Sequence, residues 1–246
     1  MKNDESEVIQ ITKLQLWQGV AAIFAVAFFA SLFFSLPGGS ANAVGQAGAQ
    51  PTAAPDNAGG NDGGSTTASF QVGDDPVLGN ADAPVTIIKY TDFGCPFCQR
   101  WHDQTKPQIE SEYVESGQVK IVYKDSPITQ LHPDAPKAHE AANCVFEEGG
   151  AEAYYDYVDD LYANQRTQNT DNLEQWASDL GYDISDCLAS GRFSDENSED
   201  QAEADQAGMR GTPHFVIGTG DSGEGTPVRG AQPFQVFQQA IEAQLG

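Results

Sequence analysis

Residues 83–102, "APVTIIKYTDFGCPFCQRWH", constrain the fold more than any other stretch of this chain. After Pro84, the β-branched and aromatic side chains up to Tyr90 read as a buried strand. Pro96 follows Cys95 directly, and proline is pre-set for the first position of a helix. Phe97, Trp101, Ile109 and Tyr113 recur at helical spacing, so they are expected to line one face of that helix, with Pro107 kinking it. A second strand, "QVKIVYKD" (118–125), follows. The result is a β-α-β unit with Cys95 and Cys98 at its first turn. A cysteine pair spaced CxxC suits a metal clip, a structural staple or a pair of electron carriers, and the motif alone leaves all three open.

The compartment bears on that choice. Residues 16–36, "LWQGVAAIFAVAFFASLFFSL", carry no charge over 21 positions. As a helix they span roughly 30 Å, the thickness of a bilayer's hydrocarbon core. Trp17 sits where an interfacial aromatic is expected, and Lys2 and Lys13 precede the run while the next basic residue is Lys89. That asymmetry puts a tail of residues 1–13 in the cytoplasm, a transmembrane anchor or signal segment at 14–36, and the rest outside the cell membrane. "ANA" at 41–43 resembles a signal-peptidase site, so a cleaved, secreted form is the alternative. Residues 37–69 are almost all Gly, Ala, Ser, Thr, Pro and Asn; they bury too little to offset their ordering entropy and read as a flexible tether. The folded domain is expected over 70–246.

Thirty-six acidic against twelve basic residues give a formal charge of −24. With no cluster of Lys and Arg, a nucleic-acid partner is excluded. Abundant carboxylates with scarce lysine read as adaptation to high salt. The acids from Asp195 to Asp205 are expected on the solvated face of a helix rather than in a metal site.

Between Pro133 and Gly208 the pattern turns helical. Ala135, Ala138, Ala142 and Val145 share one face, as do Tyr154, Tyr155, Val158, Leu161 and Tyr162, and Asp171 with Glu174 resembles a capping box. "TPHFVIG" (212–218) returns to strand, a Gly-rich loop leads to "PVRGA", and "PFQVFQQAIEAQL" closes as an amphipathic helix. The plan is α/β: β-α-β, a helical insertion over about 133–208, then β-β-α.

Strand, CPFC at a helix start, "LYANQ", "DCLASGRF", "GTPHFVIG" and "RGAQPFQVFQQAI" follow one another in an order that resembles the DsbA-like thiol:disulfide oxidoreductases of thioredoxin fold, over nearly all of residues 74–245. With the acidity, the resemblance suggests a halophilic archaeon as the source. It implies an enzyme of protein disulfide exchange whose redox-active group is the Cys95–Cys98 disulfide, with no other cofactor and no metal. It implies a cis peptide at Thr212-Pro213 facing the cysteines, where freed backbone groups pair with an extended substrate. The implied partners are reduced or misoxidised exported proteins and a membrane quinone-linked oxidase that restores the disulfide. Cys144 and Cys187 stand where related extracytoplasmic proteins carry a structural bridge, and outside the cell two such cysteines more often pair than stay free.

At the helix start the dipole and unpaired N–H groups favour a Cys95 thiolate, with Cys98, one turn on, as the resolving thiol. Pro96-Phe97 between them, in place of the Gly-Pro of thioredoxin, leans oxidising by resemblance. One residue departs from the pattern. Six positions before the first cysteine, where the family commonly has a buried acid that relays protons, stands Lys89. A cation there is expected to lower the Cys95 pKa unless it points to solvent, leaving Asp92 as the candidate relay. His102 makes a soft-metal module of Cys95, Cys98 and His102 one rival reading; a reductase or isomerase is another, and a non-catalytic peptide-binding domain a third. His214 is expected at the site edge, His132 and His139 at the surface or in packing.

Overall fold

The computed structural model describes residues 67–246. The expected tail, membrane segment and most of the tether lie outside these residues, and no helix among the described residues is long and apolar enough to cross a membrane. Six strands form one sheet: β1 (Ala68–Gln71), β2 (Val77–Leu78), β3 (Val85–Thr91), β4 (Val119–Asp125), β5 (His214–Thr219) and β6 (Ser222–Arg229). Their order is β1-β6-β5-β3-β4-β2. Only β3 and β4 run parallel. β3, at the centre, is buried along its whole length on both faces, which explains its continuous run of large side chains.

Between β3 and β4 lie α1 (Pro96–Gln104), α2 (Lys106–Ile109) and a π turn at Glu110–Val114. The break at Thr105 comes two residues before Pro107, whose ring cannot continue the ladder. The insertion holds α3 (Ala135–Ala163), a 3-10 turn (Gln165–Thr167), α4 (Thr170–Asp179), α5 (Ser185–Ser190) and α6 (Ser194–Gln206); α7 (Phe234–Leu245) closes the chain. α3 bends at Gly150, whose φ of 75° is a left-handed conformation that side chains resist. A disulfide joins Cys144 of α3 to Cys187 of α5, closing a loop of 43 residues' separation.

Alternation along β3 sends Ile87 and Ile88 into two apolar layers on opposite faces of the sheet. The larger includes Phe93, Cys98, Trp101, Tyr123, Leu161, Phe215 and Phe237. The smaller includes Phe70, Ile88, Tyr90, Val122 and Ala204, and brings α6 against the sheet.

Several expectations are corrected. The sheet begins at Ala68, two residues inside the expected tether, because β1 pairs with β6. The Gly-rich stretch before "PVRGA" is itself strand, leaving a tight turn at Gly220-Asp221. The α4 cap is Asn169, whose side chain accepts from Asn172 N at 3.1 Å, not Asp171. The acidic run of α6 is not all solvated: Asp200 is buried and accepts from Lys124 Nζ at 2.9 Å and Asp125 N at 2.7 Å.

Candidate active site

The turn between β3 and α1 is held by a carboxylate. Asp92 accepts from Gly94 N at 2.7 Å through one oxygen, and through the other from Ile128 N and His132 Nδ1, both at 2.8 Å. These contacts fix the turn, so Asp92 scaffolds the site. Gly94 is required by space: a Cβ there would lie 2.6 Å from His132 Cβ. From the other side, Gln165 donates to the carbonyls of Phe93 at 2.8 Å and Cys95 at 3.0 Å. Gln168 reaches Phe93 O at 3.2 Å. Phe93 stacks on the buried His139, centroids 4.2 Å apart, whose Nδ1 meets Asp125 at 2.5 Å.

Cys95 caps α1, so its sulfur sits at the helix's N-terminal end, where first-turn N–H groups are unpaired. Cys95 and Cys98 are both free thiols in this structure. The Cys98 thiol donates to Cys95 and, against the opposing effect of burial, lowers its pKa to about 5; Thr212 and the N–H groups of Cys98 and Phe97 add to this. Cys98 is the mirror case. Full burial and its hydrogen bond to Cys95 push its thiol well up. One sulfur is thus a thiolate at neutral pH and the other a thiol.

The Thr212-Pro213 bond is cis. It turns the Thr212 carbonyl to 3.5 Å from Cys95 Sγ. His214, next along β5, is buried and held neutral, its pKa brought down to about 4 by burial and then by Arg229.

Lys89 does not point to solvent. It is fully buried with Nζ 3.9 Å over the Tyr123 ring, 4.8 Å over Trp101 and 4.8 Å over Tyr162. It donates to Tyr162 Oη at 3.0 Å, and that oxygen lies 2.6 Å from Thr91 Oγ1. Burial brings its pKa down to about 7, with Cys98 the strongest influence holding it up. The cation therefore acts chiefly on Cys98, and it is absent from the main causes that set Cys95. Lys89 is coupled to both thiols, to Cys98 more strongly than to Cys95, and a chain of Lys89, Tyr162 and Thr91 leads to Cys98, which the Thr91 side chain also hydrogen-bonds.

His102 spends both ring nitrogens, Nε2 on Asp159 at 2.9 Å and Nδ1 near Tyr123 Oη at 3.3 Å. Cys95, Cys98 and His102 are not drawn within ligand distance of one another, which removes the geometry the metal module needs. Phe97, expected in the buried face of α1, is 54% exposed, while Trp101, Ile109 and Tyr113 are buried. At the second position of the helix, Phe97 flanks the cysteines and faces out, as does Pro96. A groove of about 620 Å³ runs beside Gly94 and Pro96 to Tyr162, Asn164 and Arg166.

Sequence reasoning missed Tyr162, Thr91 and Gln165. The "LYANQ" string held two of them, yet their contacts span about seventy positions and no local pattern encodes them.

The profile of the thioredoxin family matches residues 71–243. Over 146 residues the chain is 33% identical to "Na(+)/H(+) antiporter NhaA 3" of Salinispora tropica, an alignment covering 58% of this chain and 21% of that protein. Over 102 residues it is 26% identical to "Probable disulfide bond formation protein D" of Bacillus cereus, covering 42% and 44%. The chain thus spans about a fifth of the antiporter and less than half of the second relative. Among solved structures it resembles oxidised BdbD of Bacillus subtilis with a TM-score of 0.62 at 21% identity, covering 74% of this chain and 99% of that one. At that identity the likeness is one of fold.

Proposed function

We propose that this chain, which belongs to the thioredoxin family, is a DsbA-like thiol:disulfide oxidoreductase that oxidises cysteines of exported proteins. The observation that carries the reading is the split between two adjacent sulfurs: Cys95 with a pKa of about 5 at a helix end, Cys98 buried with its pKa pushed up. Stabilising the Cys95 thiolate stabilises the reduced enzyme and so makes its disulfide a strong oxidant.

In the oxidised enzyme a substrate thiolate attacks Cys95 Sγ. The Cys95–Cys98 bond breaks, a mixed disulfide forms, and Cys98 leaves as a thiolate inside the core. A second substrate thiolate then attacks the substrate sulfur of that mixed disulfide and expels Cys95 as a thiolate. The substrate gains a disulfide, and two electrons rest on the enzyme pair.

A bare thiolate at Cys98 is costly in so buried a place. Lys89, with a pKa of about 7, supplies a proton through Tyr162 and Thr91 and is left as the neutral amine its burial favours. When the enzyme is reoxidised the proton returns. The cis Thr212-Pro213 bond presents backbone to a substrate strand beside Cys95. Residues 16–36 tether the domain to the outer side of the cell membrane, a membrane quinone-linked oxidase takes the two electrons, and the acidity suits a halophilic setting.

The test is the reduction potential of the Cys95–Cys98 pair with the oxidation of a reduced, unfolded protein by the full chain. A potential near −120 mV, with Cys95→Ala abolishing oxidation, supports the oxidase; a value near −270 mV selects the reductase reading.

A further inference from the structure

Twelve lysines and arginines are set against thirty-six acids, so the placement of each cation carries information. Lys2 and Lys13 lie outside the described residues. Of the remaining ten, Lys106, Lys120, Lys124, Lys137 and Arg192 each contact a carboxylate. Lys89 is buried in its aromatic box. The four left, Arg100, Arg166, Arg210 and Arg229, are exposed and have no carboxylate within salt-bridge distance among the described residues.

All four lie on segments that carry or face the cysteines. Arg100 stands two residues after Cys98; its guanidinium folds back 4.9 Å over the exposed Phe97 ring and donates to Ala231 O at 3.3 Å. Arg229 pairs in register with His214 beside the cis-proline, and its neighbour Gly230 donates to Pro213 O at 2.9 Å. Arg210 precedes Thr212, whose carbonyl faces Cys95, by two residues. Arg166 lines the groove that Gly94 and Pro96 border on the far side of Cys95. Among the described residues the other two cations that reach the surface, Lys137 and Arg192, each pair with a carboxylate.

We propose that these four arginines form a cationic collar around Cys95 that selects acidic polypeptides, those with Asp and Glu close to the cysteine to be oxidised. The inference rests on the oxidoreductase reading and names its substrate class. A protein of net charge −24 repels acidic chains at long range, and a local reversal of sign at the reacting sulfur admits them there. Residue type fits the task as well. The collar is arginine throughout, while every lysine among the described residues is paired or buried. Guanidinium pairs with a carboxylate through two parallel hydrogen bonds, a contact-range interaction that survives salt better than steering between separated charges. Phe97, beneath Arg100, offers apolar surface to the same segment.

The test uses the full chain in its oxidised form and three reduced two-cysteine peptides of one length, with the cysteines flanked by Asp and Glu, by Asn and Gln, or by Lys. The expected order of kcat/KM is acidic, neutral, basic, with about tenfold between acidic and neutral at 0.2 M salt and less at higher salt. In Arg100→Gln/Arg166→Gln/Arg210→Gln/Arg229→Gln the acidic-to-neutral ratio falls to about one. Equal rates on acidic and neutral peptides by the native chain overturn the collar, whether or not the variant folds; so does a folded variant that keeps the full ratio. Failure to oxidise any of the peptides is a different result: it sinks the oxidoreductase reading, and the collar with it.

Discussion

Two lysines sit buried on neighbouring strands and meet opposite fates. Lys89 of β3 lies in register with Tyr123 of β4, and Lys124 of β4 with Tyr90 of β3, so the same Lys–Tyr pairing occurs on both faces of the sheet. Lys124 Nζ has Asp75 at 2.6 Å, Asp200 at 2.9 Å and Glu203 at 3.3 Å, and despite burial these acids drive its pKa up. Lys89 has three aromatic rings and a phenol, and burial brings it down to about 7. Equal residue type and equal burial therefore give a permanent charge in one case and a group that titrates near neutrality in the other. The difference is the company of carboxylates, and the titrating lysine is the one beside the thiols.

The largest loss of stability is expected from Lys124→Met. Three carboxylates would be left without their cation, at about 3–5 kcal/mol of stability in denaturant unfolding. A loss below about 1 kcal/mol would mean that the acids hold themselves by sharing protons, since burial and mutual repulsion already push Asp75 and Asp200 up.

Lys89→Met is expected to act with the opposite sign. A lysine whose pKa falls from 10.5 unfolded to about 7 folded is charged in both states below pH 7, so the cost of its burial is complete there. The unfolded chain binds the extra proton between 7 and 10.5, so stability rises with pH across that window and the cost is gone above it. The variant should be more stable than the parent by up to about 5 kcal/mol at pH 6 and equal to it near 10.5. A stability deficit at pH 6 would show that Lys89 is a packing post like Lys124.

Tyr162→Phe removes the hydroxyl between Lys89 and Thr91. It should cost about 1 kcal/mol and slow oxidation of the substrate while leaving Cys95 alkylation unchanged. Equal slowing of both would place Tyr162 in the binding of substrate and not on the way to Cys98.

The smallest expected change is the sharpest. Absorbance at 240 nm should titrate Cys95 with a midpoint of about 5, and Lys89→Met should move that midpoint by less than about half a unit while raising Cys98. Because the folded pKa of Cys95 is depressed, its contribution to reduced-state stability is complete above about 9, the ordinary thiol value, and is lost as pH falls through about 5. A large move of Cys95 in the Lys89 variant would show that the lysine serves that sulfur as much as Cys98.

Much of this geometry could be read along the chain because it is local. The strand before Cys95, the helix opened by Pro96, and Thr-Pro opening β5 are each encoded within a few residues. What escaped was long-range. β1 and β2 are short and gain strand character only by pairing with β6 and β4. Asp200 looks like its acidic neighbours until Lys124, 76 positions earlier, is set against it. Phe97 has the spacing of a core residue, yet the second position of a helix beside an open turn faces solvent. Lys89 was visible as the residue that fits least, but the aromatic box that explains it draws on β3, β4, α1 and α3 at once.

That box has an optical consequence. Trp101 is fully buried on the same helix as Cys98, and the Lys89 ammonium lies 4.8 Å over its indole. A charge held so close to an indole shifts the energy of its excited state. In the proposed relay each proton passed between Lys89 and Cys98 switches that charge, so the colour of Trp101 emission is expected to follow the redox cycle. A shift of that emission between the oxidised and reduced protein would give turnover a readout with no label attached, and its absence in Lys89→Met would tie the shift to the lysine.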